Sequence, residues 1–200
     1  MAEPIRFYFD FSSPYGYFAA EGIEDLAARH GREVAWMPVM LGVIFPKLGI
    51  RPLVEVPVKG EYSRRDMNRT ARFLGLPFTL PEIFPTRSVM ACRAFLWLNR
   101  ERADLAKRFA RGILRAYFAE GRLIDAPETI AGVAVAIGVD PAELAEAIQA
   151  PEIKQALFAA SEDALAQGVF GSPYFIVDGE PFWGTDRMAQ MEQWLAEGGF

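Results

Sequence analysis

Ser13 is the side chain that its neighbours best prepare for chemistry. It stands in Phe11-Ser12-Ser13-Pro14-Tyr15, where Pro14 suits a first helical position because its missing N–H is not needed there, and that makes Ser13 the expected N-cap. The hydroxyl then lies at the positive end of a helix and at the C-terminal end of a strand. In an open α/β sheet, ligand groups that carry or develop negative charge collect at such a point. The same grammar begins many ordinary helices, so the weight comes from a second segment, Gly168 to Asp186. There Ser172-Pro173 leads into a strand and Trp183-Gly184-Thr185-Asp186 follows a hairpin signal. Other reactive residue types are poorly placed. Cys92 is the sole cysteine, so neither an internal disulfide nor a C-x-x-C pair can form, and its apolar helical run predicts burial. His30 stands beside Gly31 at a helix end, and no Cys, His and carboxylate cluster has metal spacing, so no metal is expected.

The elements that must position these residues follow from periodicity. Ile5, Phe7, Phe9 and Phe11 alternate with Arg6, Tyr8 and Asp10, which reads as a strand covered on both sides. A helix from Tyr15 to about Arg29 carries Phe18, Ala19, Ile23 and Leu26 on one face and stops at Gly31. Glu33 to Val39 is a second strand whose Pro38 places it at an edge or exit, giving a β-α-β unit with parallel strands. Met40 to Val58 reads as irregular, broken by Gly42, Pro46, Gly49, Pro52 and Pro57. Lys59–Leu74 is helical, and a second Pro-rich connection runs from Gly75 to Pro85. Helices are predicted over Ser88–Asn99, Leu105–Ala119 and Pro151–Ala166, with capped starts at Asp125-Ala126-Pro127-Glu128 and Asp140-Pro141-Ala142-Glu143. Tyr174–Val177 returns to strand, Asp178-Gly179 is a hairpin turn, and Thr185 or Asp186 is expected to cap a last helix.

The order β-α-β, helical block, β-β-α is that of a thioredoxin core with an insertion. The expected class is α/β, with residues 1–40 and 167–200 forming the thioredoxin-like domain and residues 41–166 a mainly helical inserted domain that begins irregularly. Composition agrees with a soluble globular chain, 52% hydrophobic and 24% charged over 200 residues. A formal charge of −5 without a basic block argues against a nucleic-acid partner. No leader pattern or membrane-length apolar run is visible, so a cytoplasmic address without a membrane partner is expected.

Phe7-Tyr8-Phe9-Asp10-Phe11-Ser12-Ser13-Pro14-Tyr15, together with Gly168-Val169-Phe170-Gly171-Ser172-Pro173-Tyr174-Phe175, resembles the 2-hydroxychromene-2-carboxylate isomerases and, more broadly, the kappa-class glutathione transferases. The similarity runs over nearly the full length. Lys59-Gly60-Glu61-Tyr62 and Trp183-Gly184-Thr185-Asp186-Arg187 support it. The resemblance implies a bound glutathione and a serine, Ser13, facing its sulfur where redox relatives keep a reactive cysteine. It implies that Pro173 is cis, that the backbone of Ser172 pairs with the cysteinyl part, that Trp183, Gly184, Thr185 and Asp186 surround the γ-glutamyl end, and that Lys59 and Tyr62 assist. Lys47 and Arg87 are candidates by charge for a substrate carboxylate. The implied activity is glutathione-dependent isomerisation of 2-hydroxychromene-2-carboxylate or a related aromatic keto acid. Its rivals are a kappa-like transferase and a non-catalytic thiol- or peptide-binding module. The family resemblance also implies a homodimer. Two departures stand out: Gly49-Ile50-Arg51-Pro52 where relatives often carry an asparagine beside a glycine, and Gly16 where some relatives have a small polar residue, which implies an enlarged or reshaped pocket mouth.

Overall fold

The computed structural model describes residues 2–200. Strand β1 (Ile5–Phe9) is followed by helix α1 (Pro14–Arg29) and strand β2 (Val34–Pro38). The other two strands, β3 (Tyr174–Val177) and β4 (Glu180–Trp183), come from the far end of the chain. They join in one sheet of order β2-β1-β3-β4, in which β1 runs parallel to β2 and antiparallel to β3. Pro38 ends β2, and β2 is one of the two edges of the sheet, where a missing ladder donor costs least. Asp178 and Gly179, at φ of 51° and 92°, make the two-residue turn between β3 and β4 that matches strand twist.

Both faces of β1 are covered, as its alternation predicts. Phe7 and Phe9 belong to the main core, and Tyr8 belongs to a second cluster with Ile44, Ala164 and Val169 on the opposite face. The helical elements between the strands are α2 (Leu41–Leu48), α3 (Lys59–Leu74), α4 (Val89–Asn99), α5 (Ala103–Phe118), α6 (Pro127–Ala136), α7 (Pro141–Ala147) and α8 (Pro151–Ala166), and α9 (Met188–Glu197) closes the chain. Phe95 of α4 meets Phe9 of β1 edge to face with centroids 5.4 Å apart, and Phe109, Phe118 and Ile113 of α5 continue the same core. Sheet and helical block therefore share one apolar interior. No helix among the described residues is long and apolar enough to cross a membrane.

Three expectations change. The stretch after β2 is helical at Leu41–Leu48 despite Pro46, because the Asp10 carboxylate accepts the Leu41 N–H at 2.8 Å and Gly49, at φ 67°, terminates the turn in the left-handed region. Asp140 caps α7 through Ala142 N as predicted, whereas α6 is capped by no side chain and relies on Pro127 at its first turn. Thr185 and Asp186 do not cap α9: they form a 3-10 turn (Thr185–Arg187), and the helix starts at Met188. The shared core carries a prediction. Phe95→Ala should cost about 3–5 kcal/mol in urea unfolding, with sheet and helix probes melting together; separate transitions would contradict a shared core.

Candidate functional site

The site is built where the two ends of the chain meet. The turn after β1 closes through Ser13 N donating to Asp10 O at 2.9 Å, and Ser13, at φ −97° and ψ 114°, caps α1 by accepting the Gly16 N–H at 3.0 Å. Its own hydroxyl proton goes to the Ser172 carbonyl at 2.8 Å, across 159 positions of sequence. The Ser172–Pro173 bond is cis, and the Ser172 hydroxyl accepts the Asp10 N–H at 3.0 Å. Two serines thus staple the strand end to the segment before β3. Gly16 completes this packing: a Cβ there would lie 2.8 Å from Ser172 Oγ, so the space the sequence assigns to an enlarged pocket mouth is taken by the Ser172 side chain.

Behind the turn lies Asp10, buried at 2% exposure. Its carboxylate accepts the N–H groups of Ser12 and Leu41, each at 2.8 Å, and the Ser88 side chain stands beside it. Burial raises its pKa above the ordinary 3.8, and these hydrogen bonds offset part of that rise. Cys92 is buried in the same neighbourhood, and burial, reinforced by the Asp10 charge, pushes its thiol up, so it stays a thiol.

In front of the turn a cleft of about 1650 Å³ opens between α1, α3, the segment before β3 and the 3-10 turn. Ser13 lies on its wall with Ser172 and Pro173. Thr185 donates to Tyr15 O at 2.6 Å, and Gly184 N donates to Pro173 O at 3.1 Å, which fixes the 3-10 turn beside the α1 N-terminus. The Asp186 carboxylate occupies the space that a Cβ on Gly184 would need and pairs with Arg187 at 3.1 Å. Trp183 stacks edge to face on Phe170 and lies over Gly171, where a Cβ would collide with the indole. From α3, Tyr62 lines the cleft and shares Arg69 with Asp66; Tyr15 donates to Asp66 at 2.6 Å. Burial and that bond push the Tyr15 phenol up, so it remains a donor.

Among the candidates by charge, Arg87 lines the cleft and Lys47 does not. Lys47 is ion-paired with Glu162 and lies 5.8 Å from the Phe158 ring, because α2 packs on α8. Lys59 is exposed at the first turn of α3 and is not part of the lining; in its motif Gly60 is the packing residue, pressed on the Val54 carbonyl. Sequence reasoning passed over Asp10, Tyr15 and Asp66. An acid between Phe9 and Phe11 at the end of a two-sided strand was the signal for Asp10. The spacing of Tyr62, Asp66 and Arg69 on one helical face was the signal for Asp66.

With this geometry in hand, comparison with known proteins gives a consistent result. Residues 4–196 match the family described as DSBA-like thioredoxin domain. The chain is 30% identical to glutathione S-transferase kappa 2 of Caenorhabditis elegans, over 96% of this chain and 92% of that protein. It is also 30% identical to 2-hydroxychromene-2-carboxylate isomerase of Sphingobium xenophagum, over 98% of this chain and 100% of that protein. A solved 2-hydroxychromene-2-carboxylate isomerase superposes with a TM-score of 0.86 at 24% identity, covering 96% of this chain and 94% of that one. The thioredoxin-like fold with helices between its two halves is thus the fold found.

The buried acid behind the serine turn carries its own prediction. Asp10→Ala leaves the Ser12 and Leu41 N–H groups without an acceptor and should cost about 1–3 kcal/mol or more by denaturant unfolding. Because the folded-state pKa is raised, the folded state favours the protonated acid. The native advantage over Asp10→Ala should be largest below the ordinary value of 3.8 and shrink as pH rises through the folded-state pKa. An advantage that grows with pH would contradict this.

Proposed function

The chain belongs to the DSBA-like thioredoxin domain family, with 2-hydroxychromene-2-carboxylate isomerases and kappa-class glutathione transferases among its relatives, and from that premise we propose that it is a glutathione-dependent isomerase of an aromatic keto acid. The observation that carries the reading is the Ser13 hydroxyl at an α-helix N-terminus, on the wall of a cleft and hydrogen-bonded to the carbonyl before a cis-proline.

The residues present fit glutathione by their chemistry. A thiol needs a donor and a positive field, and Ser13 with the first turn of α1 supplies both. A cysteinyl main chain needs a carbonyl partner, which Ser172 offers. An α-ammonium needs a carboxylate, and Asp186, with a largely exposed side chain, lies on the same wall. Bound glutathione supplies a thiolate that adds reversibly to a conjugated carbon, so that a double bond becomes single, rotates and is restored on elimination.

The chain's own part is to hold and release a proton contact. The Ser13 proton now rests on Ser172 O at 2.8 Å while Oγ accepts from Gly16 N. Rotation about the Cβ–Oγ bond aims that proton into the cleft without breaking the bond from Gly16. The Ser172 carbonyl is then free to accept a ligand N–H in its place. The hydroxyl cannot form a mixed disulfide, so the site steadies sulfur without exchanging with it. The matching identity to a kappa transferase keeps one second reading open, in which the same thiolate ends in a stable conjugate.

Ser13→Ala should bind acceptor as before and retain its circular dichroism, while kcat falls about 100-fold or more, as for loss of one preorganised donor. An unchanged kcat would remove Ser13 from the mechanism. Product analysis with 2-hydroxychromene-2-carboxylate and glutathione should return the isomer with the thiol count unchanged; consumption of thiol into an adduct would favour transfer.

A further inference from the structure

Helix α3 is a sparsely attached wall of the cleft. It lines one side with Tyr62, Met67, Thr70 and Phe73, yet of its four buried residues, Gly60, Ser63, Met67 and Ala71, only Ala71 belongs to the main core. Its backbone bonds beyond its own turns are local, reaching residues 56–58 on one side and 75–76 on the other. Its ion pairs, Glu61 with Arg65 and Asp66 with Arg69, stay within the helix. The 3-10 turn before it (Leu53–Glu55) receives Gly60 on the Val54 carbonyl and makes only local bonds itself. Among the described residues, one hydrogen bond therefore joins α3 to a remote part of the chain: the Tyr15 hydroxyl donates to the Asp66 carboxylate at 2.6 Å, across 51 positions.

The chain on either side is better fixed. Before the segment, Ile50 N donates to Phe45 O at 2.9 Å; after it, the Tyr17 hydroxyl donates to Pro77 O at 3.0 Å and Thr79 N to Phe118 O at 2.6 Å. Between these anchors, at the start of α3, Val58 stands at φ 69° and ψ −53°, closed by Lys59 N donating to Pro57 O at 2.8 Å. That is the strained three-residue turn, in a region that β-branched residues rarely adopt. The Val58 side chain is 89% exposed, so no packing of its own holds the strain, and the seating of α3 must hold it.

We propose that Tyr15 and Asp66 are a positioning pair for the acceptor side of the reaction: their hydrogen bond seats α3 as a movable wall of the cleft, and breaking it frees residues 51–76 to swing about the Val58 turn. The Tyr15 end of the bond is fixed, because Thr185 donates to its carbonyl and its ring meets Phe18 edge to face at 6.0 Å. The Asp66 end rides on the loosely held helix. A bond to a carboxylate is stronger than a neutral one, but one such bond opens far more readily than a packed core. Neither side chain bonds to Ser13, so the pair acts through α3 on whatever lies beside it and not on the thiol. Tyr62 and Phe73 line the cleft while largely exposed, which leaves them surface to bury on an occupant when α3 is seated. The assignment deepens the reading above and rests on it for the identity of that occupant; the seating of α3 is measurable without any ligand.

The test is amide hydrogen exchange of the free protein followed by kinetics. Tyr15→Phe keeps the ring and removes the bond, so the amides of residues 59–74 should exchange about tenfold or more faster, while those of β1 and α5 stay within about twofold of native. Asp66→Ala should match it. Asp66→Asn keeps an acceptor oxygen for the phenol and should return exchange most of the way to the native rate. With glutathione and 2-hydroxychromene-2-carboxylate, Tyr15→Phe should raise KM for the chromene about tenfold and change kcat by about twofold or less, the opposite split from Ser13→Ala. Native rates over residues 59–74 in Tyr15→Phe, acceleration spread equally over β1 and α5, or a fall in kcat at unchanged KM overturns the proposal. Absence of turnover by the native protein counts against the glutathione reading alone, because exchange then decides the seating of α3 by itself.

Discussion

The pairing of β1 with β3 brings together two segments of which Ser13 and Ser172, hydrogen-bonded across 159 positions, are the tips, and the rest of the site depends on that closure. The bond is of ordinary length at 2.8 Å, buried, and backed by a second bond in the same sense, from the Asp10 N–H to the Ser172 hydroxyl. A single such bond contributes about 1 kcal/mol net, too little to hold two chain ends together alone. The sheet does that work, since β1 lies between β2 and β3 and presents both segments at its end. The hydrogen bonds then set the final placement to within an ångström, which is the scale on which a thiol feels a donor.

Asp10 shows how the fold supports that placement. Its backbone bonds to the Ser13 N–H and the Ser172 hydroxyl, and its side chain bonds to Ser12 and to the start of α2. One buried acid therefore ties the serine turn, the cis-proline segment and the first helix of the insertion. A carboxyl in that position is costly, as its raised pKa records, and the turn retains it because each of its oxygens meets a backbone donor. The buried Cys92 beside it is kept protonated by the same surroundings, so the reactive sulfur of the proposed chemistry must come from outside the chain.

Much of this was readable from residues. The alternation of Ile5 to Phe11, the Pro14 that marks Ser13 as a cap, and the Asp178-Gly179 turn each reflect local geometry, and local geometry is what a sequence states most directly. The misses have tertiary causes. Helix α2 forms around Pro46 because a distant carboxylate anchors its first N–H. Thr185 spends its hydroxyl on the Tyr15 carbonyl instead of on a helix start, a choice made by α1 packing nearby. Lys47 has the charge of a carboxylate ligand, but α8 supplies Glu162 to neutralise it.

The account turns on whether the Ser13 corner stabilises an anion on sulfur, and the ionisation of glutathione in the complex reports that directly. A free thiol titrates near 8.5, at about the reference value for cysteine. Followed by thiolate ultraviolet absorbance across pH, glutathione bound to the native protein should ionise at least about one unit lower, and Ser13→Ala should move the midpoint back toward the free value. Bound glutathione that titrates like the free tripeptide in both proteins would contradict the account.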